Sequence, residues 1–498
     1  MINKRILLIV ILIILLGSFL RFYNIKKESF WLDEGAVGLT IKKYNALQIL
    51  NNVLEKGQIL PEKYYTHNDE LPVFYIILSG WAKIFGVSEF SLRGLPAILG
   101  LFALILIFYL VKYLFDEKIA LLSTFLASIN LTLIWYSQEA RQYSYLLFLS
   151  LLSAIFLLKS LEREKTKYIV GFLSVNAFIV YSHFPWIMFI AFEGLYALYI
   201  MYVDYTKKGV VYKKIIVALL IIGLLYLPII GRVIFSKTSN VQFYGKPSIS
   251  QIVKFGIQLS SWLYPNETMR QKIYDFSFDL TLYEWLLLFS VLLTALLSGL
   301  LFLVGVKKSF YKRDSSIFFL LMFFFPISFA LILSIIHPKI IVFQVKQMIY
   351  IIPAYLIFVS IGILRIKLRK ISIVAIIILS ILPLYAYYSN IDKQQFREAV
   401  KFLPENESII VTKASAEAVV KYYYGEKNNV IGIDDINILK QYLKDKGSFW
   451  VLFTFTKYSD PEGKVKKFLN ENYKVTEIKE FFDIELIHYE PKSFTKEK

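Results

Sequence analysis

Carboxylates and cations recur in short polar clusters between long apolar runs, in combinations suited to proton abstraction and phosphate binding. Residues 29–35, Ser-Phe-Trp-Leu-Asp-Glu-Gly, set Asp33 and Glu34 side by side just beyond the first apolar run. Adjacent carboxylates at a membrane boundary are costly unless hydrated, paired or chemically used. A positioned carboxylate can act as general base toward a hydroxyl; a solvated loop with a helix-capping acid accounts for the pair equally well. Residues 67–72, His-Asn-Asp-Glu-Leu-Pro, place Glu70 before a short apolar segment. A lone glutamate there more often caps a helix, at the positive end of its dipole, than binds a divalent cation.

Residues 137–143, Ser-Gln-Glu-Ala-Arg-Gln-Tyr, carry a sharper pattern. Glu139 and Arg141 lie between two apolar runs and, two positions apart, would diverge on a helix. Each then needs a partner elsewhere, which favours a shared site over a local ion pair. Arg93 starts another apolar run, where it either snorkels to lipid headgroups, the commoner fate, or binds a lipid phosphate. His183, in Tyr-Ser-His-Phe-Pro, is by default a hydrogen-bonded histidine; with Glu70 nearby it would be a metal ligand. Lys346, in Phe-Gln-Val-Lys-Gln, is a further cation beside a run.

These residues need a scaffold, and the composition indicates a bilayer. Hydrophobic residues make up 57% of the chain. They come in runs such as 6–20, 95–111 and 371–384, close to or beyond the length that crosses about 30 Å of hydrocarbon. The first run has a basic start but no small-residue cleavage site, and Arg21, Phe22 and Tyr23 after it read as an interfacial anchor. Cysteine is absent, which removes a disulfide framework and cysteine-based metal or redox chemistry. The net charge of +18 is scattered in clusters between apolar runs, as topology-setting charges are, so no nucleic-acid partner is expected.

Placing the basic clusters in the cytoplasm gives eleven spans, near 5–23, 89–113, 118–137, 142–160, 168–184, 185–203, 214–235, 282–306, 315–336, 347–365 and 371–388. The N-terminus is then inside and the C-terminus outside. The apolar segment 72–85 is short for a span, so it is laid in the interface, with Trp81 and Lys83 near the headgroups. Under this one topology every residue singled out above falls on the outer side. Two outer regions are long, 24–88 and 236–281; the second carries Phe243, Tyr244, Trp262 and Tyr264 as an aromatic cover. The composition changes near Tyr388. Beyond it, 408–413, 429–433 and 449–455 read as strands and 417–424, 436–444 and 462–470 as helices. The expected organisation is a helical membrane domain, 1–388, and a small extracytoplasmic α/β domain, 389–498.

Taken in order, Trp-Leu-Asp33-Glu34, Pro72-Val-Phe-Tyr, the 85–93 run Phe-Gly-Val-Ser-Glu-Phe-Ser-Leu-Arg and the 136–143 run Tyr-Ser-Gln-Glu-Ala-Arg-Gln-Tyr resemble the GT-C glycosyltransferases. The branch they resemble is that of the protein O-mannosyltransferases and aminoarabinose transferases. Tyr181-Ser-His183, the 343–353 segment and Gln394-Gln-Phe-Arg397-Glu-Ala are similar to later parts of the same family. The resemblance implies an α-helical polytopic GT-C fold in the cell membrane. It also implies an inverting transferase using a polyprenyl-phosphate sugar donor at the extracytoplasmic face, with a protein, lipid or glycan acceptor. Asp33, with Glu34 beside it, would be the leading catalytic carboxylate, and Glu139 a second acid of the same cavity. Arg93, Arg141 or Lys346 would hold the donor phosphate. Glu70 and His183 match positions that bind a divalent metal ion in some members; no nucleotide or organic cofactor is expected. The chain departs from many relatives in having Glu70-Leu71-Pro72 for His-Pro-Pro and Lys346-Gln-Met for Arg-Tyr-Leu, where lysine keeps the charge but loses the bidentate fork. Two other readings stand beside this one: a transporter or flippase of lipid-linked saccharides, which would set its ionisable groups near the bilayer midplane, and a non-catalytic membrane scaffold.

Overall fold

A bilayer offers the backbone no hydrogen-bond partners, so apolar runs must satisfy their own amides and carbonyls, and these runs fold as helices. The structure, a computed structural model, describes residues 4–56, 59, 71–162, 165–204, 209–235, 247–261, 279–336, 343–405, 407–425, 429–444 and 446–492. His67 and Glu70, and Phe243, Tyr244, Trp262 and Tyr264 of the expected aromatic cover, lie outside the described residues.

The chain divides into two compact units. One comprises Met1–Asn24, His67–Phe74 and Arg93–Asn390; the other comprises Ile25–Thr66, Tyr75–Leu92 and Ile391–Lys498. In chain order the helices used below are α1 (Lys4–Phe22), α2 (Leu32–Lys43), α3 (Ala46–Lys56), α4 (Pro72–Phe85), α5 (Glu89–Leu114), α6 (Glu117–Ile129), α7 (Leu131–Ser137), α8 (Tyr143–Glu162), α9 (Thr166–Val180), α10 (Ile187–Val203), α11 (Gly209–Phe235), α12 (Ile249–Gln258), α13 (Leu282–Ser309), α14 (Arg313–Ile336), α15 (Ile351–Arg365), α16 (Arg369–Ser389), α17 (Phe396–Val400) and α18 (Glu417–Tyr424).

Each of the eleven expected spans contains a helix, but the count of eleven is not established. Among the described residues seven helical segments are long and apolar enough to cross a membrane, or eight if α6 and α7 form one span. α9 and α15 are shorter apolar helices. The longest segment, Leu282–Ile336, runs for 55 residues, which as one straight helix would reach about 80 Å. It turns back instead: the Phe302 and Phe323 rings lie 4.9 Å apart, so α13 and α14 pack as neighbours. α13 also approaches α15 closely through two glycines. A Cβ on Gly305 would fall 1.7 Å from the Phe358 carbonyl oxygen, and one on Gly362 2.0 Å from that of Leu301, the close backbone packing that small residues permit in a bilayer.

The expected continuous span 118–137 is broken, with α6 and α7 bent by 60° at Asn130. A break exposes backbone groups that the apolar surroundings cannot solvate, and side chains take them up. Asn130 caps α7 through the Leu133 amide, and its own Nδ2 donates to the Leu259 carbonyl at 3.0 Å. Thr132 donates to the Gln258 carbonyl at 2.6 Å, so the break also receives the end of α12. Arg21 closes the other side, donating to the carbonyls of Gly17, Ala127 and Ser128. Its side chain is 1% exposed, which corrects the expected headgroup anchor: Arg21 is drawn inward by α6 carbonyls left without amide donors.

The second unit holds a five-stranded sheet of β1 (Ser408–Val411), β2 (Val430–Gly432), β3 (Phe449–Thr454), β4 (Tyr473–Phe481) and β5 (Ile484–Pro491), in the order β2-β1-β3-β5-β4. β1 pairs parallel with β2 and β3, and β5 antiparallel with β3 and β4. Its core gathers Ile410, Phe449, Val451, Phe453 and Ile487, with Leu469 from the helix Lys464–Asn472. The first three strands fall where the residue pattern predicts them. The β4–β5 hairpin turns through Asp483 at φ 52°.

Candidate active site

The signature Glu139-Ala-Arg141 is not helical; residues 138–142 form a bend between α7 and α8. Gln138 fixes one end of that bend. Its Nε2 donates to the carbonyls of Arg21 and Tyr23, both at 3.0 Å, while Tyr387 from α16 donates to its Oε1. The orphan carbonyls at the end of α1 therefore anchor the bend. The Trp135 indole then donates to Glu139 Oε1 at 2.6 Å, and the Arg141 amide to the Glu139 carbonyl at 2.7 Å.

Beyond the bend, Tyr143 opens α8, and its ring is a meeting point. The Arg141 guanidinium lies 5.8 Å from the ring centre and the Lys346 ammonium 6.0 Å. The aromatic face attracts a cation without cancelling its charge. His183 stands edge-on to the same ring at 6.2 Å. Its Nε2 lies 2.6 Å from Gln347 Oε1, and its Nδ1 3.4 Å from Gln142 Nε2. Three residues singled out in separate parts of the sequence, Arg141, His183 and Lys346, thus surround one tyrosine. Arg141 and His183 are buried, and charge acts over longer range in such surroundings than in water. The chemistry this arrangement suits is the holding of a multiply charged anion.

Arg93 is also buried, at 2% exposure, near the start of α5. Snorkelling to headgroups, the commoner fate for such a residue, is therefore not what it does here.

In the second unit, Asp33 and Glu34 occupy the first turn of α2, where the helix dipole favours negative charge. Both are buried. Glu34 accepts from Lys393 Nζ at 3.0 Å, an ion pair closed off from solvent on both sides. The segment before α2 is laced to residues 392–397. Glu28 accepts from the amides of Asp392 and Lys393, Ser29 donates to the Gln394 carbonyl, and Arg397 donates to the carbonyls of Lys26 and Lys27. Partial burial works against the charge on Arg397, but its bond to Glu398 and nearby Glu89 outweigh this and hold the guanidinium above its ordinary range. Gly35 follows directly, and a Cβ there would fall 2.6 Å from Val419 Cα; only glycine lets α2 approach α18 this closely.

The donor set for a divalent metal is not assembled among the described residues. No group of three His, Asp or Glu residues is gathered there, Glu70 lies outside them, and both ring nitrogens of His183 face glutamine amides. To ligate a metal, the imidazole would have to give up one of those bonds.

Residues 69–231 match the family model of dolichyl-phosphate-mannose-protein mannosyltransferases. No curated protein matches the chain by sequence. Among solved structures, ArnT from Cupriavidus metallidurans in the apo state superposes with a TM-score of 0.58 at 10% identity, covering 96% of this chain and 97% of that one. The same protein bound to undecaprenyl phosphate gives 0.53 at 10% identity with the same coverage. The Archaeoglobus fulgidus oligosaccharyltransferase in the apo form gives 0.52 at 11% identity, covering 98% and 75%. The fold is that of the GT-C glycosyltransferases.

Sequence reasoning overlooked the residues that hold the charged ones in place. Gln142 and Gln347 directly follow Arg141 and Lys346, and Tyr143 and Trp135 flank the bend. Their proximity to the charges was the available signal. Lys393 gave none, since its partner Glu34 lies 359 positions away.

Proposed function

We propose that this GT-C protein is an inverting glycosyltransferase that takes a sugar from a polyprenyl-phosphate donor at the extracytoplasmic face of the cell membrane. The observation that carries the reading is the pair of cations, Arg141 and Lys346, around the Tyr143 ring. The match to dolichyl-phosphate-mannose-using transferases and the relative solved with undecaprenyl phosphate support the same donor class. In the proposed step, Asp33 takes the proton of an acceptor hydroxyl as that oxygen attacks the anomeric carbon from the face opposite the phosphate. The bond from that carbon to the phosphate oxygen breaks, and polyprenyl phosphate leaves with the electron pair, its charge met by Arg141 and Lys346. Glu34, held by Lys393, orients the turn that carries Asp33. The soluble region 389–498 lies on the same outer side in this reading, with the N-terminus in the cytoplasm.

The test is transfer by the purified full-length protein, offered a panel of polyprenyl-phosphate sugars with membrane extract as acceptor and scored by mass spectrometry. A chelator arm is included because one relative, the archaeal oligosaccharyltransferase, was solved with zinc. Asp33→Asn is expected to reduce turnover by roughly 10²- to 10⁴-fold with the fold retained. Near-normal transfer by that variant removes Asp33 from its role. No transfer from any donor by folded wild type shifts the weight to transport of lipid-linked saccharides.

A further inference from the structure

Two cations close to one ring repel each other, and here they come from segments 205 positions apart in sequence. Some fixed part must set their separation. Each cation is followed by a glutamine, and a single histidine lies against both glutamines. We infer that His183 is a positioning residue that clamps residues 141–142 to residues 346–347, and so presets the spacing of Arg141 and Lys346 for the donor phosphate. The inference rests on the function proposed above.

The chemistry of a neutral imidazole fits the task, because it has one donor and one acceptor on opposite sides of a rigid ring. With the proton on Nε2, His183 donates to Gln347 Oε1 at 2.6 Å and accepts on Nδ1 from Gln142 Nε2 at 3.4 Å. The three side chains are at most 2% exposed, so water does not compete for these bonds, and breaking one leaves a buried polar group without its partner. A clamp also needs a rigid mount. His183 sits between α9 and a single 3₁₀ turn, Phe184–Trp186. The Tyr181 carbonyl accepts from the Val73 amide at 3.1 Å, and the Trp186 indole donates to Ser150 Oγ at 2.8 Å. The backbone on both sides of the histidine is thereby tied to other helices.

The experiment uses the full-length protein with His183→Ala, His183→Gln and Gln347→Met. It reads polyprenyl-phosphate affinity by native mass spectrometry, KM and kcat for the active donor, and thermal unfolding in the same detergent. His183→Ala and Gln347→Met are each expected to weaken lipid-phosphate binding and raise the donor KM about tenfold, with a smaller change in kcat. His183→Gln keeps the bond to Gln347 but cannot span to Gln142, so it is expected to fall between wild type and His183→Ala. Wild-type lipid-phosphate affinity in folded His183→Ala or Gln347→Met overturns the clamp. So does a His183→Gln variant as impaired as His183→Ala, together with chelation bringing wild type down to the same level; those results make His183 a metal ligand. If wild type binds no polyprenyl phosphate, the proposed function falls and takes the clamp's purpose with it, an outcome distinct from loss of the clamp alone.

Discussion

Segments 29–35 and 135–143 use similar residues, a tryptophan close before a carboxylate and a further charge just after it, yet the structure treats them differently. In the first, Glu34 is neutralised by Lys393 inside a buried ion pair. In the second, Glu139 takes a hydrogen bond from an indole, and Arg141 lies against an aromatic ring. An ion pair offsets charge, whereas an indole donor or an aromatic ring orients the charged group it touches. One acid of the adjacent pair is thereby fixed as architecture, which leaves Asp33 as the acid proposed for chemistry. Adjacent letters in a motif need not share a role.

The contrast is sharpest at Asp33 and Glu34. Asp33→Asn should abolish most transfer while leaving the unfolding midpoint near wild type, the largest effect expected on activity. Lys393→Met tests the other half. It leaves Glu34 buried without its partner, and removal of one member of such a pair typically lowers stability by about 3–5 kcal/mol. The double variant Glu34→Leu/Lys393→Met should recover much of that loss in thermal or denaturant unfolding. If Lys393→Met unfolds like wild type but loses turnover, Glu34 belongs with Asp33 and the distinction collapses. Arg141→Lys probes the second segment with a smaller expected effect. It keeps the charge and loses the planar fork, so the donor KM should rise about five- to tenfold with kcat less affected. An unchanged KM would mean that Arg141 acts as a point charge or not on the donor at all.

How much of this was legible in the sequence follows from the range over which each feature is determined. The membrane helices and β1 to β3 follow from local patterns, uninterrupted apolar runs and short β-branched stretches between turn residues. The β4–β5 hairpin escaped the same reading because its strands mix Lys and Glu with single apolar residues; Glu477, Lys479 and Glu480 give no clean alternation. The break at Asn130 escaped because one asparagine in an apolar run weighs little locally. It becomes a break only with the carbonyls that Arg21 and Asn130 engage from elsewhere. In the candidate site, the charged residues were visible by type and spacing. Their supports, Gln142, Gln347 and Lys393, are ordinary polar residues whose roles depend on partners up to hundreds of positions away.

A third carboxylate, Glu193, extends the comparison because among the described residues it meets hydroxyl and amide groups rather than a cation such as the one Glu34 has. It is fully buried in α10. Ser153 donates to its Oε1 at 2.7 Å, and Asn176 donates to Ser153 Oγ at 2.7 Å and to the Phe172 carbonyl at 3.0 Å. The chain Asn176–Ser153–Glu193 joins α9, α8 and α10, while among the described residues Glu193 Oε2 and Asn176 Oδ1 meet no donor. If the group serves only to link helices, its shape and its acceptor oxygen matter and its acidity does not. Glu193→Gln keeps both shape and acceptor and adds an amide donor beside two oxygens that lack one, so the unfolding free energy should stay within about 1 kcal/mol of wild type. Turnover at saturating donor should be unchanged. Glu193→Ala instead leaves the Ser153 hydroxyl without its acceptor and opens a void, for an expected loss of about 2–4 kcal/mol. A Glu193→Gln variant that kept its stability but lost transfer would show that an acid is required there, and the carboxylates of this chain would then have to be divided differently.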